Sequence, residues 1–68
     1  MILFNEKQLK EINEDKGSVH TVTYMKSIGY KLKESQQNGD QFMGKFITRN
    51  HCMTVITYKD KITYMKLV

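Results

Sequence analysis

The chain contains no proline, alanine or tryptophan, a single cysteine and a single arginine. With no second cysteine, Cys52 excludes an internal disulfide, which suits a reducing compartment. No apolar run approaches the roughly 20 residues that span a bilayer. The longest is Met1 to Phe4, and no basic stretch precedes it as in a signal peptide. The expectation is a cytoplasmic protein without membrane attachment. Having Arg49 as the lone arginine argues against base-specific readout of nucleic acid, which favours the guanidinium fork. No glycine-rich phosphate loop occurs, because Gly39 and Gly44 match no such spacing.

What the chain has in quantity is lysine, ten of its eleven basic residues. A chain rich in lysine and tyrosine but empty of alanine and proline reflects AT-rich codons. At 68 residues it resembles, in composition, the small accessory proteins of phages and other mobile elements of low-GC bacteria. That length allows a single domain, residues 1–68, with a small core and marginal stability. A hydrophobic share of 40% with 26% charge belongs to a folded chain rather than a disordered tail. Charge is uneven. Residues 1–15 hold two basic and four acidic side chains, a net of −2, whereas residues 16–68 hold nine basic and three acidic, a net of +6.

Asn5 as N-cap, Gln8 three residues on, and the apolar pair Phe4 and Leu9 are three agreeing helix-start signals. With Leu9 and Ile12 on one face and Gly17 as a stop, they predict a helix over 6–15. Val19, Val22, Met25 and Ile28 recur every three residues between Ser18, a candidate cap, and Gly29. Period three favours a helix over 19–28, while the β-branched residues of that stretch favour a strand, and both stay open. Asn38-Gly39 predicts a primed hairpin turn, and a second hairpin surrounds Lys59-Asp60. The strands are expected at 30–37, 41–48, 52–58 and 61–67. The fold class is therefore α+β, one or two short N-terminal helices packed on a four-stranded antiparallel β-meander. The string Thr-Tyr-Met-Lys then occurs twice, at 23–26 and 63–66, with different contexts rather than as a functional repeat. The last strand is expected at the sheet edge, available for strand addition by a second copy or a partner unless Lys61 and Lys66 guard it. Phe42 and Phe46 share one face of their strand and Met43 and Ile47 the other, so alternation does not choose which is buried.

Candidate chemistry is sparse. His51 and Cys52 are adjacent in sequence, so in a strand they point to opposite faces and cannot together chelate one ion. No catalytic, metal or cofactor site is expected, and Cys52 reads as a small apolar side chain. Residues 18–58, a helix, a turn ending in Ile28-Gly29-Tyr30, a strand and a hairpin, resemble the small toxin ribonucleases built on a double-stranded-RNA-binding-like fold. That resemblance implies a catalytic histidine in a glycine-serine-histidine sequence after the first strand. Here the matching stretch is Asn38-Gly39-Asp40.

The leading expectation is a small non-enzymatic binding protein of phage or mobile-element type that occupies a surface on a host protein. An anti-CRISPR or other anti-defence inhibitor is one version. Its contacts would be Tyr58, Lys59, Lys61, Tyr64 and Lys66, through a basic sheet face or the last strand, through which the protein would also homodimerise. The alternative is a nucleic-acid-binding module. It would use Lys31 and Lys33, expected to share a face, with Lys45, Arg49 and Tyr30.

Overall fold

The helix-start signals at Asn5 act together in the computed structural model, which describes residues 1–68. Asn5 Oδ1 accepts the Gln8 N–H at 2.8 Å, and Gln8 Oε1 accepts the Asn5 N–H at 2.9 Å. Helix α1 (Glu6–Lys16) follows and stops where Gly17 takes φ +59°. The ambiguous stretch also becomes a helix, α2 (Thr21–Ser27), but His20 rather than Ser18 caps it, through Nδ1. Packing overrides the β-branched propensity here: Met25 and Thr21 are fully buried and Val22 lies against the core. Val19 and Ile28, the outer members of the period-three pattern, stay exposed. No helix is long and apolar enough to cross a membrane.

Five strands rather than four form the sheet: β1 (Ile2–Leu3), β2 (Lys31–Asn38), β3 (Gln41–Ile47), β4 (Cys52–Tyr58) and β5 (Lys61–Leu67). All neighbours are antiparallel, in the order β1-β5-β4-β3-β2. Thr-Tyr-Met-Lys is thus helical at its first occurrence and extended at its second.

Both hairpin turns are primed, but the first is displaced by one residue from the expected Asn38-Gly39 centre. Asn38 ends β2 opposite Gln41, so Gly39 and Asp40 are the central turn residues, and of these only Gly39 has positive φ. Glycine at the first central position is the type II′ pattern. Both central residues of the β4–β5 turn, Lys59 at φ +51° and Asp60 at +64°, are left-handed, as type I′ requires, although neither is glycine or asparagine.

Two bulges set the faces. β2 carries one extra residue, Lys33, between Leu32 and Glu34, and β5 carries Thr63 between Ile62 and Tyr64. Along β4, Met53, Val55 and Thr57 are buried and their neighbours are not. The core joins Met25 to Phe46, Met53, Val55, Ile62 and Met65, with Phe4, Leu9, Ile12, Leu32 and Phe42 packed around it. Phe42 and Phe46 therefore face the helices, and Met43 and Ile47 take the other side. Gly44 lies between the two rings: a Cβ there would sit 2.7 Å from Phe46 Cε1 and 2.9 Å from Phe42 Cε2.

Strand β5 is not a free edge, contrary to expectation. Ile2 and Leu3 pair with Leu67 and Lys66, and the Phe4 N–H donates to the Met65 carbonyl at 3.0 Å. Farther along, the Asn13 side chain takes the place of a neighbouring strand. Its Nδ2 donates to the Ile62 carbonyl and its Oδ1 accepts the Ile62 N–H, both at 2.9 Å. The long strand left open is β2, whose residues are all exposed except Leu32.

Candidate functional site

The helices cover one face of the sheet, and nothing covers the other. Its side chains form cross-strand rows set by the register. One row runs Gln36, Met43, Ile56, Tyr64 and the next runs Glu34, Lys45, Thr54, Lys66. Lys31, Ile47 and Cys52 form a third. Ile47, Cys52, Ile56 and Tyr64 are half-buried, and Met43 is 36% exposed. Glu34 is the sole acid of these rows, and Lys45 Nζ approaches its Oε1 at 3.3 Å. The face therefore has an apolar row with Lys45 and Lys66 on one side and Tyr58 and Lys61 on the other.

Of the residues expected to bind a protein partner, Tyr58, Lys61, Tyr64 and Lys66 lie on this face. Tyr58 is 54% exposed, with Lys59 Nζ 5.7 Å from its ring centre in a cation–π contact. Lys59 belongs to the β4–β5 turn, and Lys61, paired opposite Tyr58, shares its side of the sheet. Of the expected nucleic-acid contacts, Lys31 and Lys45 share the open face. Arg49 is exposed in the turn between β3 and β4. Tyr30 packs against the core, on the side of Leu32. Lys33 is the extra residue of the bulge and has no partner of its own in β3, and Glu34 takes the position opposite Lys45. Met43, Ile47 and Ile56 are the face residues that sequence reasoning did not single out. Alternation contained them, and only the placement of the helices separates them from the core.

At one end of the sheet the left-handed β4–β5 turn is held by its own side chain. Asp60 Oδ1 accepts the Thr21 N–H at 2.9 Å and the Thr21 hydroxyl at 2.8 Å, and Oδ2 accepts from Lys16 Nζ at 3.3 Å. Burial pushes the Asp60 carboxyl upward. The hydrogen bonds from Thr21 and Lys16, together with the Lys16 charge, outweigh it and hold the group below the ordinary carboxylate range. His20 Nε2 lies 3.9 Å from Asp60 Oδ1. The network fastens the junction of α1 and α2 to the turn, a structural role that accounts for each polar atom in it. Tyr24 donates its hydroxyl to Asp15 Oδ2 at 2.9 Å, and burial together with that bond to a carboxylate raises its pKa.

The histidines give no nucleophile–base pair. His51 is exposed in the β3–β4 turn, His20 caps α2 at the junction with the helices, and Cys52 lies on the open face with its backbone paired to Val68. No three His, Cys, Asp or Glu residues come together as metal ligands would. The stretch matching the ribonuclease histidine, Asn38-Gly39-Asp40, is the β2–β3 turn, where the Asp40 carbonyl accepts the Lys59 N–H at 2.8 Å. No family model, no curated protein and no solved structure matches the chain.

Proposed function

We propose that the protein is a non-enzymatic binding protein that lays the open face of its sheet on an acidic surface of a partner protein. The observation that carries this reading is the row Met43, Ile56, Tyr64 left uncovered between Lys45 and Lys66 on one side and Lys61 on the other, with Glu34 as the one acid among them. An apolar centre with a polar rim is the anatomy of a protein interface, and the sign of the rim selects the partner. Aliphatic side chains at the centre favour a protein over nucleobases, which stack on aromatic rings. The composition supplies the setting: a phage or mobile-element product acting on a host protein by steric occupation, as an anti-defence inhibitor does.

The test compares the wild-type protein with Ile56→Lys, with the double variant Lys45→Glu/Lys66→Glu, and with Glu11→Gln on the helix side as control. Each is immobilised and exposed to nuclease-treated bacterial lysate. The expected outcome is a protein held by the wild type and the control and released by both face variants. A protein held equally by all four, or by none, overturns the reading. Tyr58 and Tyr64 beside lysines favour a second reading, nucleic-acid binding. Fluorescence anisotropy with labelled DNA and RNA would then show affinity that falls steeply with salt and disappears in Lys45→Glu/Lys66→Glu.

A further inference from the structure

We propose that β2 is a self-recognition edge: two copies of the chain pair antiparallel through Glu34 to Asn38 and join their sheets into one. β2 is the outer strand of the sheet, and its residues are exposed except Leu32. The opposite edge is sealed by β1 and Asn13, so β2 presents the one long row of unpaired backbone donors and acceptors. The two halves of that row differ. Lys31, Lys33 and the bulge between Leu32 and Glu34 are ordinary defences against edge pairing. Ser35 to Asn38 carry no charge, no proline and no bulge. Their amide side chains are donors and acceptors at once, which makes the segment complementary to itself.

The turn fixes which backbone groups point outward. Asn38 and Gln41 close a two-residue turn, so they exchange their backbone hydrogen bonds, and alternation turns Gln36 toward β3 as well. Ser35 and Gln37 are left to present N–H and C=O outward. A two-fold axis perpendicular to the sheet at Gln36 sets Ser35 opposite the partner's Gln37 and Gln37 opposite the partner's Ser35, each pair exchanging backbone hydrogen bonds. Gln36 then meets the partner's Gln36, amide to amide, and Glu34 meets the partner's Asn38. Lys45 approaches Glu34 at Oε1, which leaves Oε2 to accept from that carboxamide. An axis at Glu34 would oppose two carboxylates, and one at Ser35 would draw the bulged Lys33 into the ladder, so the axis at Gln36 is selected. Two five-stranded sheets become one, and the rows Gln36, Met43, Ile56, Tyr64 of two copies meet end to end. A pairing this short buries less surface than a standard interface, so the dimer dissociates on dilution.

Sedimentation equilibrium from micromolar to millimolar protein tests this, together with thiol cross-linking. The expected result is a monomer–dimer equilibrium that Ser35→Pro weakens about tenfold or more, since proline removes from each copy an outward N–H that the sheet itself does not use. Gln36→Lys leaves the backbone intact and sets two ammonium groups opposite each other, so it should weaken the dimer too. The open-face variant Ile56→Lys should dimerise as the wild type does, which separates this edge from the partner surface. In a Cys52→Ser background, Gln36→Cys should oxidise to a covalent dimer, because its two copies face each other within disulfide reach. Ser35→Cys, displaced by two residues from its own counterpart, should not. A monomer at millimolar concentration, a dimer that survives Gln36→Lys, or equal cross-linking at positions 35 and 36 overturns the proposal.

Discussion

At the scale of single residues, Asp60 carries the clearest energetic role. Its backbone adopts the left-handed region at a cost of roughly 1 kcal/mol or more for a residue with a Cβ, and its carboxylate returns three hydrogen bonds across the fold. Because its folded pKa is lowered, the charged carboxylate stabilises the native state above the ordinary value of 3.8. That contribution is lost as pH falls below it toward the folded value. Asp60→Asn should therefore melt lower than the wild type at neutral pH, and the gap in melting temperature should close as pH is lowered through about 4. Thermal melts of both proteins from pH 7 to pH 3 measure this; a gap independent of pH would mean that the charge contributes nothing. The sequence shows Lys59-Asp60 only as a polar pair between strands. That the turn is left-handed at both positions follows from Thr21 and Lys16, residues 39 and 44 positions away.

At the scale of elements, the chain protects one edge of its sheet and leaves the other open. β1 and Asn13 together satisfy the outward backbone groups of β5 at Ile62, Met65 and Leu67. Removing the carboxamide leaves an N–H and a C=O of a buried residue without partners. Asn13→Ala should thus cost about 1–3 kcal/mol, read as a lower chemical-denaturation midpoint. It should also raise the tendency to self-associate, read by size-exclusion chromatography, because the bared edge resembles a pairing template. Unchanged stability and a single monomer peak would mean that water replaces Asn13 without loss. The existence, type and approximate bounds of α1 and of the four long strands were legible in sequence, since capping, periodicity and β-branched runs act locally. β1 was not: two residues have no pattern, and they are extended because Lys66 and Leu67 are there to pair with. The β2 bulge was equally silent, yet it places Glu34 rather than Lys33 opposite Lys45 and so puts an acid into that row.

At the scale of the whole molecule, adjacent residues of one strand should respond oppositely to the same kind of change. Val55 is fully buried against the helix side, and Ile56 looks out from the open face. Ile56→Thr should change stability by no more than about 0.5 kcal/mol, as surface changes do. Val55→Thr, which places a hydroxyl among Met25, Phe46 and Met65, should cost about 1–3 kcal/mol. Equal losses in the two denaturation curves would show that the open face is covered in solution, for instance by a second copy.

Sequence by itself determined the α+β class, the first helix and the order of the four long strands, the imbalance of charge along the chain and the residue types available for binding, because these depend on local propensity and on composition. Only the tertiary structure decided which sheet face the helices cover, which edge is sealed, and which lysines stand together. Those outcomes depend on single-residue shifts of register at Lys33 and Thr63 and on contacts such as Asn13 with Ile62, 49 residues apart. A period of two offers both faces of a strand equally, and the choice is made by the helices that pack on one of them.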